Sequence, residues 1–194
     1  MHPLIRTGCP LFQYQSFGSL TYFSLMILWL ITFIYGPRYG LIASVLFGFV
    51  RLGITHLTGE YINPNIWSIL LEYPIAHGVF CLGGFLQERG QKNDYTIDDH
   101  ERIQAEPYKL RMGYVIGVAA MLACYVISAE LFYPPYRDGF FSNLFYNIVY
   151  DSSYLLIEGS FSLLLLCVPK VADAIYYIKH VATHIDEDDT LECF

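Results

Sequence analysis

Five long apolar segments, separated by short polar or proline-containing stretches, divide the chain. They run over about residues 20–35, 39–57, 66–86, 112–133 and 144–168. Each approaches the roughly 20 residues with which an α-helix crosses the hydrocarbon core of a bilayer, and the first segment is the shortest. The pattern therefore predicts five transmembrane helices in one helical domain, residues 1–169, followed by an acidic tail, residues 170–194.

The composition also indicates a chain that folds in lipid. Of the 194 residues, 55% are hydrophobic and only 15% are charged, and the mean hydropathy is +0.40. Soluble domains carry about a quarter charged residues. The charges here collect between Gln87 and Pro107 and in the C-terminal tail. The predicted fold class is therefore an all-α integral membrane protein.

The distribution of Lys and Arg predicts the orientation in the cell membrane. The loop between the third and fourth segments holds Arg89, Lys92, Arg102, Lys109 and Arg111. If this loop is cytoplasmic, eight of the 11 Lys and Arg residues lie inside, two lie outside, and Arg51 lies within the membrane. The N-terminus is then extracellular and the C-terminus cytoplasmic.

Several ionisable residues lie inside the apolar segments, where each costs several kcal/mol unless it has a partner or a function. One interpretation is a structural ion pair between Arg51 and a carboxylate. Because the apolar segments hold only one Arg or Lys but four acids, a single ion pair cannot neutralise every carboxylate. The remaining carboxylates indicate a site for a cation or for a ligand rich in hydrogen-bond donors. The ionisable residues are Arg51, His56, Glu72, Glu130, Asp151 and Glu158.

Tyrosines share helix faces with these carboxylates. An aromatic belt at the membrane interface is one interpretation. The other is an aromatic cage in which a flat cationic heteroaromatic ligand stacks on the rings and is anchored by one or two carboxylates. The tyrosines concerned are Tyr61, Tyr73, Tyr125, Tyr133, Tyr146, Tyr150 and Tyr154.

The sequence contains no motif that indicates catalysis. It has no Walker A glycine loop, no GxSxG and no HExxH. Its five cysteines stand singly, and His180 and His184 lie in the polar tail without further ligands, so no metal site is predicted. We expect no catalytic residue, no cofactor and no nucleic-acid partner, and any energy for transport must come from a partner or an ion gradient.

Two stretches resemble one known family. They are Leu71-Glu72-Tyr73-Pro74-Ile75-Ala76 and Tyr146-Asn147-Ile148-Val149-Tyr150-Asp151-Ser152-Ser153-Tyr154-Leu155-Leu156. In order and spacing, over residues 18–159, the chain resembles the thiamine-specific S components of energy-coupling factor transporters. The resemblance implies a six-helix fold, here without the family's first helix, that binds a vitamin near its extracellular face. It also implies docking on a membrane coupling subunit with two cytoplasmic ATPases.

The resemblance also implies roles for individual residues. Glu72 matches the family's ligand-binding glutamate, Tyr73 the tyrosine beside it, and Tyr146 a ligand-contacting tyrosine. Asp151 stands in place of an asparagine that reads the pyrimidine, Tyr125 in place of a histidine, and Tyr133 in place of a stacking tryptophan. These departures leave room for a related but different ligand. The candidate ligand-binding residues are Glu72, Tyr73, Tyr125, Tyr133, Tyr146, Tyr150, Asp151 and Tyr61.

The predicted function is that of a substrate-binding membrane subunit in an ATP-driven uptake system for thiamine or a related pyrimidine or thiazole compound. Two alternatives stay open. One is a stand-alone carrier driven by protons or sodium, with Glu72, Asp151 and Glu158 as relays. The other is a non-transporting membrane scaffold or remnant whose polar residues are purely structural.

Overall fold

The structure, a computed structural model, describes residues 23–59, 61–88, 95–97, 103–105 and 107–188. Helices dominate these ranges, and most of them follow the predicted apolar segments. In chain order the elements are α1 (Ser24–Tyr35), α2 (Pro37–Leu57), α3 (Ile66–Leu70), a π-helical turn (Leu71–Ile75), α4 (Ala76–Phe80), α5 (Leu82–Glu88), β1 (Tyr95–Ile97), β2 (Ile103–Ala105), α6 (Tyr108–Phe132), α7 (Phe140–Cys167) and α8 (Pro169–Asp188).

Three stretches of the described chain are helical, apolar and long enough to cross a membrane: Pro37–Leu57, Ile66–Phe85 and Tyr108–Phe132. A fourth span results if the two parts of α7, which meet at an angle of 44°, are counted as one. Helix α1 has 12 residues, about 18 Å at 1.5 Å per residue, so it is shorter than the hydrocarbon core. The all-α membrane fold is thus confirmed, whereas the predicted count of five spans is not.

Aromatic side chains from three helices, α1, α4 and α6, meet at the centre of the bundle. Trp29 of α1 is fully buried, and its ring lies 6.4 Å from Phe80 and 6.5 Å from Tyr114, measured between centroids. Its Nε1 donates a hydrogen bond to the Leu110 carbonyl at 2.9 Å, which satisfies the indole within the core. The short first helix is therefore an internal element of the bundle.

Helices α5 and α6 approach each other closely where both carry glycine. A Cβ on Gly83 would collide with the Gly113 carbonyl, and a Cβ on Gly113 would collide with the Trp29 ring. Small residues at such crossings let helix backbones meet, and close packing of this kind supplies much of the association energy between helices in lipid.

Much of the predicted tail is helical. Residues Pro169–Asp188 form α8, which packs against α1 through buried side chains that include Ile175 and Tyr176. The Tyr176 ring lies 5.2 Å from the Phe33 ring, edge to face. The polar stretch before α6 contains the antiparallel pair β1 and β2. Both features were missed because amphipathic or polar segments give no long apolar run.

Candidate ligand-binding site

The π-helical turn places Glu72 inside the bundle. It contains Pro74, which has no N–H and so cannot make the hydrogen bond that a regular α-helix requires there. Single π-helical turns within α-helices frequently accompany functional sites. Helix α2 packs directly on this turn, because a Cβ on Gly48 would lie only 2.5 Å from the Tyr73 carbonyl oxygen. The position of Glu72 is thus set by a local irregularity and by a tight helix contact.

The Glu72 carboxylate accepts hydrogen bonds from three hydroxyls on two helices and on the residue that follows α6. Oε1 accepts from Ser68 Oγ at 3.0 Å and from Ser128 Oγ at 2.7 Å. Oε2 accepts from the Tyr133 hydroxyl at 3.2 Å. Both serines are fully buried. These donors replace the water that a carboxylate loses inside a membrane protein, and they fix the orientation of the charge.

Tyr133 lies just beyond the end of α6, where its phenol is a donor to Glu72. Burial, reinforced by the negative charge of Glu72, raises the pKa of the Tyr133 hydroxyl. The hydroxyl therefore keeps its proton at neutral pH and remains able to donate. The family resemblance implied that Tyr133 stands in place of a stacking tryptophan, and the structure adds a hydrogen bond from its hydroxyl to the Glu72 carboxylate.

Asp151 of α7 provides a second buried carboxylate near Glu72. Its side chain is only 8% exposed, and its Oδ2 has no hydrogen-bond partner among the described residues. The negative charge of Glu72 is close enough to act on it. A buried, unpartnered carboxylate oxygen is unfavourable in a folded protein. Asp151 is therefore suited to accept a hydrogen bond from a ligand, or to pair with a cationic one.

Two tyrosines stack at the start of α7, and a third, Tyr136 from the preceding segment, packs against one of them. The Tyr146 and Tyr150 rings are nearly parallel, with centroids 6.1 Å apart and an interplanar angle of 15°. Tyr136 lies 5.4 Å from Tyr146, and the Arg137 guanidinium lies 5.6 Å from the centroid of the same ring. Tyr146 thus neighbours two other rings and a guanidinium, while Tyr150 remains partly exposed.

A hydrogen-bonded cluster adjoins these tyrosines. It joins Glu130, which the sequence analysis singled out as an ionisable residue, to two asparagines that it did not single out. Glu130 Oε1 accepts from Asn143 Nδ2 at 3.1 Å and from Asn147 Nδ2 at 2.9 Å. Both asparagines are buried, with exposed fractions of 5% and 4%. The signal was present in the sequence, because Asn143, Asn147 and Asp151 follow one another at spacings of four and so lie on one face of α7.

The remaining candidate residues, Tyr73, Tyr125 and Tyr61, differ in how far they are exposed. Tyr73 and Tyr125 are partly buried, and Tyr125 lines a cavity together with Arg51 and Glu158. Tyr61 is 74% exposed in the segment before α3. No hydrogen bond or ring contact within the described part of the chain joins Tyr61 to Glu72 or Asp151. The structure thus joins Tyr133 to Glu72 and Tyr146 to Tyr150, and it leaves Tyr61 at the surface.

Arg51 lies beside a separate cavity of about 40 Å³, which Glu158, His77 and Tyr125 also line. Glu158 Oε1 accepts from Ser24 Oγ at 2.8 Å. Arg51 and Glu158 thus line the same cavity. Within the described ranges, no group of three or more His, Cys, Asp or Glu side chains is arranged to hold a metal ion.

Comparison with known proteins gives one family. The model of the family described as "Thiamine transporter protein (Thia_YuaJ)" matches residues 5–177, which is most of the chain and includes the whole candidate site. No curated protein and no solved structure matches the chain.

Proposed function

Because this chain belongs to the thiamine transporter protein family, we propose that it is the substrate-binding membrane subunit of a vitamin uptake system. Its ligand is thiamine or a closely related pyrimidine or thiazole compound. The proposed ligand-contacting residues are Glu72, Asp151, Tyr133, Tyr146 and Tyr150. Tyr73 and Tyr125 complete the wall of the site, and Tyr61 lies at its margin.

One observation carries the proposal: two carboxylates, one anchored and one with an unpartnered oxygen, lie near each other in the bundle. Glu72 has three hydroxyl donors, whereas Asp151 Oδ2 has no partner among the described residues. An anchored charge stabilises a cation without rearranging, and an unpartnered acceptor gains a hydrogen bond when a donor arrives. Together they favour a ligand that has both a positive charge and a hydrogen-bond donor.

Thiamine has this chemistry. It joins a thiazolium ring, which carries a fixed positive charge, to an aminopyrimidine, whose amino group donates hydrogen bonds. Both rings are flat, and the partly exposed Tyr146–Tyr150 stack offers aromatic surface for recognition of such a ring. We propose that the amino group donates to Asp151 Oδ2 and that the thiazolium lies within the field of Glu72.

The proposed topology follows the Lys and Arg bias. With the loop before α6 in the cytoplasm, the α6–α7 connection and the candidate site face the extracellular side. Since the sequence contains no nucleotide-binding motif, the work of uptake comes from partner proteins. We propose that these are the membrane coupling subunit and the two ATPases of an energy-coupling factor complex, and that the chain itself hydrolyses no ATP.

The test is a calorimetric titration of the detergent-solubilised protein with thiamine, its phosphates, and its separate pyrimidine and thiazole halves. We expect saturable binding of at least one compound, and weaker binding by Glu72→Gln. Hydrogen bonds to charged groups contribute about 1.5–3 kcal/mol, so the loss of charge lowers affinity by about 10- to 150-fold. Asp173→Asn on α8 makes the same chemical change away from the site and leaves binding unchanged.

Two outcomes would contradict the proposal. A flat response of the wild-type protein to every thiamine-related compound removes the ligand assignment. Equal binding by wild type and Glu72→Gln removes the site assignment while keeping the ligand. Uptake of thiamine into vesicles that lack any ATPase would instead favour the ion-driven carrier.

A further inference from the structure

The segment between α6 and α7, residues 133–139, carries side chains that reach the proposed ligand site. Tyr133 donates to Glu72, Tyr136 packs on Tyr146, and Arg137 lies over the same Tyr146 ring. The segment itself is irregular. It contains Pro134 and Pro135, which have no N–H, and it ends at Gly139 with a φ of 88°. Its conformation therefore depends on hydrogen bonds from outside the segment.

Asn143 supplies two of those bonds. Its Oδ1 accepts from the backbone N–H of Tyr136 at 2.8 Å and from that of Arg137 at 3.4 Å. Asn63 adds a hydrogen bond just before the segment begins, where its Nδ2 donates to the Phe132 carbonyl at 2.9 Å. Asn143 acts on the middle of the segment, so the orientation of its amide determines where Tyr136 and Arg137 lie.

Glu130 fixes that amide orientation. Because Glu130 Oε1 accepts from Asn143 Nδ2, the Oδ1 of Asn143 must point the opposite way, toward the segment. The same oxygen accepts from Asn147 Nδ2, one helical turn along α7 and one turn before Asp151. A single carboxylate oxygen on α6 thus holds both the connecting segment and the α7 face that carries Asp151.

From this geometry we infer that Glu130 is a positioning residue for the ligand site: through Asn143 and Asn147 it holds residues 133–139 and the Asp151 face of α7 in their binding arrangement. The hydrogen bonds of Glu130 go to the two asparagines, whereas those of Glu72 go to Ser68, Ser128 and Tyr133. The two acids therefore have separate roles, one in positioning and one in ligand contact. The inference rests on the proposed function for the identity of the site.

The hydrogen bonds of Glu130 and Asn143 determine which variants test the positioning role. Glu130→Leu leaves the Nδ2 groups of two buried asparagines without their acceptor, which removes the restraint on the Asn143 amide. Glu130→Gln keeps an amide oxygen that accepts from both, so it is the conservative variant that restores the geometry. Asn143→Ala removes the acceptor for Tyr136 and Arg137 while Glu130 keeps Asn147. Asp138→Asn, an exposed carboxylate in the same segment, is the matched control.

Amide hydrogen exchange of the ligand-free protein tests the positioning role without any ligand. Because two residues of the segment are prolines, a peptide over residues 133–139 reports few amides, among them those of Tyr136 and Arg137. We expect exchange at these two amides to accelerate at least tenfold in Glu130→Leu and in Asn143→Ala. We expect Glu130→Gln and Asp138→Asn to exchange like the wild type. Unchanged exchange in both Glu130→Leu and Asn143→Ala would overturn the inference.

Ligand kinetics provide the second readout. We expect thiamine to dissociate at least fivefold faster from Glu130→Leu than from wild type, and Glu130→Gln to restore the wild-type rate. Accelerated exchange with an unchanged dissociation rate would also overturn the inference, since the segment would then be mobile without consequence for the site. If Glu130→Leu fails to fold, Asn143→Ala carries both measurements. Failure of the wild-type protein to bind any thiamine-related compound refutes the proposed function instead, and the exchange experiment still tests the restraint.

Discussion

Replacing Asp151 by Asn is expected to move stability and ligand affinity in opposite directions. Asp151 is 92% buried, its Oδ2 has no partner among the described residues, and a second carboxylate, Glu72, acts on it. Asn has nearly the same shape and removes the negative charge. The ligand-free protein therefore no longer buries an ionisable group beside Glu72, while a cationic ligand loses an acceptor that can carry a negative charge.

The magnitudes follow from the bonding at Oδ2. A buried polar group without a partner costs about 1–3 kcal/mol, and a charged one costs more. Because the amide is still polar, we expect Asp151→Asn to recover about 1–2 kcal/mol, or about 2–8 °C in Tm for a chain of this size. In the complex, a charged hydrogen bond of about 1.5–3 kcal/mol becomes a neutral one of about 0.5–1.5 kcal/mol, so affinity falls about 5- to 12-fold.

Thermal unfolding of the ligand-free protein and calorimetric titration with thiamine measure the two effects on one sample. Asp173→Asn on α8 controls for a general effect of removing a carboxylate. A lower Tm together with unchanged affinity would refute the reasoning, because it would show that Asp151 makes a structural interaction and no ligand contact. Sites that bind charged ligands commonly sacrifice stability in this way, since the groups that await the ligand are unsatisfied without it.

Two further changes test the architecture around Glu72. Gly48→Ala places a Cβ 2.5 Å from the Tyr73 carbonyl oxygen, so we expect a loss of about 1–3 kcal/mol in thermal unfolding. Gly53→Ala on the same helix meets open space and should leave Tm equal or higher; equal behaviour of the two variants would contradict the close contact. Tyr133→Phe removes one donor to Glu72 and should weaken thiamine binding about 2- to 10-fold by calorimetry, and an unchanged affinity would exclude a role for that hydroxyl.

The apolar pattern predicted most of the helical architecture. Helices α2, α6 and α7 follow predicted segments, but α6 and α7 each begin four residues earlier, at Tyr108 and Phe140. Residues such as Arg111 explain part of this difference. The Arg111 guanidinium donates to the carbonyls of Leu166 and Cys167 at the end of α7. Arg111 thus lies in α6 although it precedes the apolar run, and hydropathy alone does not reveal its contact with the end of α7.

The candidate site was only partly predictable, because sequence periodicity gives the faces of a helix without the rotation of the helix in the bundle. On α7 the sequence predicted that the face carrying Tyr146 and Tyr150 binds the ligand. In the structure the face of Asn143, Asn147 and Asp151 is the more deeply buried, with every member less than 9% exposed. The Ser68 and Ser128 donors to Glu72 were equally hidden, since a lone serine in an apolar helix gives no signal until its partner is known.

The two carboxylates near the centre of the site have different roles in the proposed binding: Glu72 provides a fixed charge, and Asp151 provides an open hydrogen-bond acceptor. Glu72 is already satisfied by hydroxyl donors, so its charge is preorganised and needs little reorganisation when a cation arrives. Asp151 lacks a partner at Oδ2, and its bonding is completed by the ligand. Such an arrangement is useful only if α7 cannot rotate to relieve Asp151. The hydrogen bond from Asn147, one turn away, to Glu130 opposes that rotation. The positioning role of Glu130 and the ligand role of Asp151 are therefore parts of one mechanism, and a variant that releases Asn147 should also reduce the stability gained on replacing Asp151 by Asn.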